Sequence, residues 1–243
     1  MTSDITSGFA AVATALEHEG QLRERLRLQR DELDVAVRSL ETQLSRLHYE
    51  VDWSDAVAGA RQQLRTIGSG FLELQSLVPE GMFYKYNDLW RQCSIHIVQS
   101  CLLIRFFETV HAPGPQFSDN LDQSQANDSV ETCTAALVTK DEVLEMLDGE
   151  KAPTQPALRL DLEEYLLGLC GGIQELARLA ANRVVLGDYA TPRKLAFFCN
   201  QVYAGFRLLN FRNDSLRRSY DALKYAIQRL DSILYDLRIR KLS

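Results

Sequence analysis

The chain has 243 residues and a formal net charge of −6, with 46% hydrophobic and 25% charged residues. These fractions are average for globular proteins, which excludes collagen-like, fibrous and disordered classes. Six prolines and thirteen glycines are too few for the many turns of an all-β sandwich. A net acidic chain is not typical of nucleic-acid-binding proteins, although a local basic cluster can outweigh the total charge.

The first half of the chain predicts three long helices. Apolar residues from Leu22 to Leu47 recur mostly every three, four or seven positions, which predicts an amphipathic helix over residues 20–48. A second helix is expected from residue 52 or 54 to 78, just before Pro79. A third is expected over residues 80–111, and its centre is apolar nearly all round. Residues 112–137 carry a charge of −4 with no Lys or Arg, which indicates a flexible acidic loop.

The second half predicts four more helices. Thr139 and Glu142 have the spacing of a capping box, so a short helix should begin there and end at Gly149. Residues 151–158 contain two prolines and are interpreted as a linker. The remaining helices are expected over residues 161–186, from Thr191 as N-cap to about residue 211, and over 215–240 after a cap at residue 213 or 214. No strand is predicted. The fold class is therefore all-α, with residues 1–243 as a single helical domain.

Cysteine usage and hydropathy indicate an intracellular protein. The five cysteines are an odd number without paired spacing, so neither a zinc site nor a disulfide framework is predicted. The sequence shows no apolar leader segment and no apolar run of 18 residues, so we expect no association with a membrane. The expected location is the cytoplasm, the nucleus or both.

Catalytic motifs are missing from the sequence. It has no HExxH, no GxSxG and no phosphate-binding glycine loop, so no enzyme and no cofactor are predicted from the residues alone. Residues 83–91 interleave four aromatic residues with two cations, a mixture that suits single-stranded nucleic acid, although aromatic residues at helical spacing are more often core. Residues 212–241 contain eight basic residues against four aspartates, a local charge of +4. Composition alone therefore favours a helical interaction protein.

From residue 160 onward the chain resembles the translin family. Eight segments and Pro192 carry this resemblance: LDLEEYL at 160–166, ELARL at 175–179, NRV at 182–184, GDY at 187–189, GFRLLN at 205–210, NDSLR at 213–217, YDALKY at 220–225 and YDLRIR at 235–240. A looser resemblance extends toward the beginning of the chain through Trp90, Arg91, Glu108, Thr109 and residues 22–24.

The resemblance implies a seven-helix subunit of a hollow, barrel-like octamer that binds single-stranded RNA and DNA inside. It implies a partner, the paralogue translin-associated factor X. The two together form a ribonuclease linked to small-RNA passenger-strand removal and tRNA processing. Family position places the first helix and the stretch before Trp90 toward the cavity. The expected nucleic-acid-binding residues are Arg23, Arg27, Lys85, Tyr86, Trp90 and Arg91.

In the family the paralogue is the catalytic subunit and holds metal with four carboxylates. The matching positions of this chain are His96, Gln99, Gly171 and Glu175, of which three are not carboxylates. A hard divalent cation prefers oxygen ligands, so we expect no bound metal and no catalytic residue at these positions. The chain therefore resembles the non-catalytic translin-type subunit. It departs from the family at Asn87 and Leu89, where translins often carry histidines, and at residues 112–137, which look like an insertion.

Three functions remain open at this point: a non-catalytic single-strand-binding subunit, a metal-dependent endoribonuclease in its own right, and a purely structural oligomer. RNA binding by the purified chain separates the third from the others, and Mg²⁺-dependent cleavage separates the second from the first. In all three cases an oligomer is expected, because the predicted helices carry more apolar surface than one bundle of this size can bury.

Overall fold

A computed structural model of the chain describes residues 2–50, 53–111, 137–148, 158–211 and 215–241. Eight α-helices cover most of these residues: α1 (Thr2–Ser45), α2 (Ser54–Ser76), α3 (Phe83–Tyr86), α4 (Arg91–His111), α5 (Lys140–Asp148), α6 (Leu162–Val185), α7 (Ala190–Phe206) and α8 (Ser215–Ile239). Two 3-10 turns, Arg46–His48 and Asn87–Leu89, follow α1 and α3. The described residues contain no strand, which confirms the all-α prediction. Among these helices, none is long and apolar enough to cross a membrane.

Helix α4 lies at the centre of the bundle and packs against α1, α2, α5 and α6. It is apolar on several sides, and Val98, Cys101, Leu102 and Ile104 are completely enclosed. One continuous cluster of buried side chains runs from Leu26 of α1 to Leu230 of α8. Cys93, Cys101, Cys170 and Cys199 are free and buried, whereas Cys133 lies outside the described residues.

Two glycines bring α6 very close to α4. A Cβ atom on Gly168 would lie 2.5 Å from Cβ of Val98 and 2.8 Å from the carbonyl oxygen of Ile95. A Cβ atom on Gly172 would lie 2.5 Å from a methyl group of Leu102. Because glycine has no Cβ, the two helices pack along this line nearly backbone against backbone, and their side chains meet at short range on either side of it.

Three of the predicted helix ends are confirmed. The backbone N–H of Glu142 donates to Oγ1 of Thr139 (3.2 Å), and the N–H of Thr139 donates to Oε2 of Glu142 (2.7 Å), which is the predicted capping box. Asp161 caps α6 by accepting from the N–H of Glu163 at 3.1 Å. Gly187 follows the end of α6 with a φ of +80°, a conformation that favours glycine.

The predicted helix over residues 80–111 is wrong, because the chain breaks between α3 and α4. Tyr86 and Trp90 leave the helical region, with φ near −122° and −117°, and a 3-10 turn lies between them. The break allows Phe83, Tyr86 and Trp90 to be buried together, and this burial outweighs helical continuity at Asn87 and Asp88.

Two other boundaries differ from the prediction. Helix α1 begins at Thr2 rather than near residue 20, and residues 8–18 are exposed along its length. Helix α7 begins at Ala190 because Oδ1 of Asp188, rather than the Thr191 side chain, caps it by accepting from the N–H of Thr191 at 3.0 Å. It ends at Phe206 instead of near residue 211. The expected acidic loop and linker, and the cap at residue 213 or 214, lie almost wholly outside the described residues.

Candidate nucleic-acid interface

Two of the predicted binding residues meet where α1 passes α3. Nζ of Lys85 lies 2.7 Å from a carboxylate oxygen of Glu19, and Nη2 of Arg23 lies 3.1 Å from the other. Both cations also lie over the Tyr86 ring, at 5.3 Å for Arg23 and 5.5 Å for Lys85. We call Glu19, Arg23 and Lys85 the basic cluster. It is partly exposed and carries a net charge of +1.

The two cations change the acidity of the carboxylate between them. Hydrogen bonds from Lys85 and then Arg23 lower the pKa of Glu19. The same contact with Glu19 raises the pKa of Lys85. Glu19 and Lys85 therefore remain charged at neutral pH. A phosphate that approaches the cluster must share Arg23 and Lys85 with the Glu19 carboxylate.

Arg27 and Arg91 do not join the basic cluster. Arg27 pairs with Glu24 at 3.7 Å on the surface of α1. Nη2 of Arg91 donates to Oε1 of Glu163 at 2.6 Å, and Oγ of Ser215 donates to the same oxygen at 2.6 Å. Arg91 thus joins the first turns of α4, α6 and α8. It lines a cavity of about 320 Å³ together with Gln92, Gln174, Ser215 and Ser219.

The two aromatic residues proposed for base stacking are core residues of the subunit. Trp90 is completely enclosed and packs edge-on against Phe83, with ring centroids 5.8 Å apart. Tyr86 is 2% exposed. Neither ring offers an open face to a base, and Tyr86 instead supports Arg23 and Lys85 from beneath. Tyr84, whose side chain points outward, is 76% exposed.

The four positions at which the resemblance implies carboxylates in the paralogue lie on α4 and α6, where these helices face each other. Oε1 of Gln99 lies 2.7 Å from where a Cβ on Gly171 would be, so the amide occupies the space that a side chain at residue 171 would need. Gln99 and Glu175 line a cavity of about 190 Å³ together with Glu41, Ser45, Ser100 and Arg178. Nδ1 of His96 contacts Oε1 of Glu41, and this hydrogen bond raises the pKa of His96.

Glu175 is held by basic and polar side chains rather than facing the cavity freely. Nδ2 of Asn182 lies within hydrogen-bond distance of Nδ1 of His48, at 2.9 Å. Nε2 of His48 donates to Oε1 of Glu175 at 2.7 Å, and Nε of Arg178 donates to Oε2 at 3.1 Å. Burial by itself would raise the pKa of Glu175, but the hydrogen bonds from His48 and Arg178 outweigh it and lower the pKa to about 2.

This set of residues does not fit a divalent cation. The Glu175 carboxylate is already neutralised by Arg178, Glu41 is bound to His96, Gln99 is neutral and Gly171 has no side chain. Within the described parts of the chain, no group of three or more His, Cys, Asp or Glu side chains is placed to hold a metal ion. We call the cavity lined by Gln99 and Glu175 the α4–α6 groove. It offers hydrogen-bond donors and acceptors, the Arg178 guanidinium, and the carboxylates of Glu41 and Glu175, which are already bound to His96 and Arg178.

Sequence reasoning missed Glu19, Glu41, His48 and Arg178. Each is a polar side chain of α1, its 3-10 extension or α6. Glu19, Glu41 and His48 contact residues distant in sequence, whereas Arg178 contacts Glu175 within the same helix. Only local spacing could have pointed to them: Glu19 stands four residues before Arg23, and Arg178 stands three after Glu175.

Comparison with known proteins agrees with this architecture. The model of the Translin family matches residues 21–241. Translin of Gallus gallus is 31% identical over 242 residues, which cover 98% of this chain and 94% of that protein. Translin of Homo sapiens is 30% identical over 235 residues, covering 96% and 92%. Translin-associated protein X of Mus musculus is 28% identical over 125 residues, covering 44% and 43%. The chain belongs to the translin family.

Proposed function

We propose that this chain is a non-catalytic subunit that binds single-stranded RNA and DNA and holds RNA for a catalytic paralogue of the translin-associated protein X type. The observation that carries the proposal is the state of the α4–α6 groove. Three of its four key positions lack a carboxylate, and the fourth, Glu175, is neutralised by Arg178. The processes to which this assembly would contribute are passenger-strand removal and tRNA processing, in the cytoplasm and the nucleus.

The proposal includes assembly into a hollow octamer with nucleic acid inside. Large apolar side chains on the described surface support oligomerisation, and three of them form one stripe near the start of α1: Phe9 (72% exposed), Val12 (54%) and Leu16 (65%). An isolated helical segment of this length is marginal in water, so it needs a neighbour. A sedimentation mass near one subunit at micromolar concentration would contradict assembly.

Binding is proposed to depend on Arg23, Arg27, Lys85 and Arg91. The decisive variant is Arg23→Ala with Lys85→Ala, because both cations contact Glu19 and their removal changes the basic cluster from +1 to −1. Filter binding of single-stranded RNA should become weaker. It should also become less dependent on salt, because each lost phosphate contact flattens the slope by about 0.7. The mass of the oligomer should stay unchanged.

A matched pair of controls makes this test specific. Glu19→Gln leaves both cations in place and removes the carboxylate that competes with phosphate, so it should strengthen binding. Arg38→Ala with Arg65→Ala removes the same charge from two other exposed positions and should have a smaller effect. If the Arg23 and Lys85 double variant keeps wild-type affinity and slope, the basic cluster is not part of the binding surface. If the wild-type chain binds no RNA at all, the purely structural alternative is correct.

A further inference from the structure

Helix α8 presents a line of basic residues to solvent. Arg218 and Arg229 are eleven residues apart, which is about three helical turns or 16 Å, so they lie along one side of the helix. Arg240 follows at the same interval, one residue beyond the end of α8. Tyr225 lies on the same side between the first two arginines and is 70% exposed. We call Arg218, Tyr225, Arg229 and Arg240 the α8 stripe. Asp236 also falls on this line and is its acidic member within the helix.

The arginines of the stripe differ from the four cations predicted to bind nucleic acid in having no acidic partner among the described residues. Arg23, Arg27, Lys85 and Arg91 each lie within 3.7 Å of a glutamate oxygen. By contrast, none of the three stripe arginines forms an ion pair with a residue that the structure describes, although Arg217 next to them pairs with Asp221 at 3.4 Å. An anion can therefore contact the stripe without displacing a carboxylate.

We propose that the α8 stripe is a second contact surface for single-stranded nucleic acid, in which Arg218, Arg229 and Arg240 bind phosphates and Tyr225 stacks on a base. The inference rests on the proposed nucleic-acid-binding function and adds a site to it. Nothing in the family comparison assigns this role to α8.

The chemistry of the stripe favours nucleic acid over a protein partner. A flexible guanidinium on each side of an open aromatic ring is the arrangement that neutralises a phosphate backbone and stacks its bases without sequence preference. An interface between proteins would be expected to place large apolar side chains at its centre. Residues 212–241, which comprise α8 and the residues on either side of it, carry a local charge of +4 within a chain of −6.

The test replaces the three arginines together, Arg218→Gln, Arg229→Gln and Arg240→Gln, in the full chain. Binding of a fluorescein-labelled oligouridylate is measured by fluorescence anisotropy at a series of KCl concentrations. Affinity should fall by about tenfold or more, and the slope of log affinity against log salt should flatten by about 2, since three contacts contribute about 0.7 each. The control variant Arg38→Gln, Arg46→Gln and Arg65→Gln has the same charge change on exposed residues of α1, its extension and α2, and should leave the slope near that of the wild type.

A separate variant tests the stacking contact. Tyr225→Ala should weaken binding by about fivefold or more with an unchanged salt slope, and Tyr225→Phe should restore it, because stacking needs the ring and not the hydroxyl. If the wild-type chain binds the oligouridylate and the arginine variant keeps its affinity and slope, the proposed role of the α8 stripe is wrong, while the proposed function of the chain stands. An arginine variant that loses its oligomeric mass but keeps RNA affinity would show that the stripe is an interface between copies. A wild-type chain without affinity for the oligouridylate would overturn both proposals.

Discussion

Glu164 shows how far a single residue can depart from its expected role. As an acidic residue in the first turn of a helix it is expected to favour the helix dipole from the surface. In the structure it is 1% exposed, so its carboxyl group is held away from solvent. Burial raises its pKa to about 7, and Asp161 adds to the rise, while Ser94 and Arg91 oppose it only in part.

The raised pKa of Glu164 predicts a pH-dependent loss of stability. The unfolded chain has the ordinary value of 4.5, so the fold holds this proton more tightly than the unfolded chain does. The resulting penalty is absent below pH 4.5, grows as the pH rises toward 7 and is complete above it. Glu164→Gln should therefore raise the free energy of unfolding by up to about 3 kcal/mol at pH 8 and by little at pH 4.

Urea unfolding at the two pH values measures this difference. Glu145→Gln on α5 is the control, since its side chain is exposed and its replacement should change the unfolding free energy little at either pH. Equal stabilities of wild type and Glu164→Gln at pH 8 would contradict the account of the buried carboxyl.

At the scale of elements, α4 and α6 pack against each other and form two sides of the α4–α6 groove. Gly168 and Gly172 determine how closely the two helices approach. Gly168→Ala places a methyl group 2.5 Å from Val98 and 2.8 Å from a backbone oxygen of α4, which cannot move as a side-chain tip can. We expect a loss of about 2 kcal/mol or more in the free energy of unfolding.

Gly205→Ala in α7 is the matched control, because nothing lies within 4 Å of the new methyl group. Helix propensity should make that variant neutral or more stable by up to about 1 kcal/mol. Thermal unfolding of both variants measures the contrast. A Gly168→Ala protein as stable as the Gly205→Ala protein would mean that α4 and α6 do not need their close approach.

Local sequence signals predicted the elements whose ends are determined locally. The capping box at Thr139 and the glycine at residue 187 act within a few residues, so spacing was enough to predict these helix ends. The break between α3 and α4 escaped prediction because it depends on burying Phe83, Tyr86 and Trp90 against distant elements. Tertiary packing outweighed helical periodicity there.

The candidate site was predictable only in part, for the same reason. The family resemblance assigned Gln99 and Gly171 to two of the paralogue's carboxylate positions, and the structure brings these two residues together. They could not show that Lys85 joins Arg23 at Glu19, or that His48 contacts Glu175, because contacts between helices depend on the angle and register of packing. The burial of Tyr86 and Trp90 could likewise not be predicted from the sequence of residues 83–91 alone.

At the scale of the whole molecule, charge is distributed unevenly. The chain is acidic overall, yet the cations of α8 are exposed and those of the basic cluster lie beside a single glutamate. In an assembly of several copies each cation is repeated, so a modest local surplus becomes an extended basic surface that an acidic total does not prevent. Because many cations would then contact phosphates, the affinity for nucleic acid should fall as the salt concentration rises.

The most direct test of the whole account is to incubate homogeneous protein with single-stranded RNA and Mg²⁺ and to analyse the same samples for bound RNA and for chain length. The account predicts RNA that is bound and intact, with Glu175→Gln giving the same result, because Glu175 is neutralised by Arg178 and three of its counterparts are not carboxylates. Mg²⁺-dependent cleavage by the wild-type chain that Glu175→Gln abolishes would contradict it.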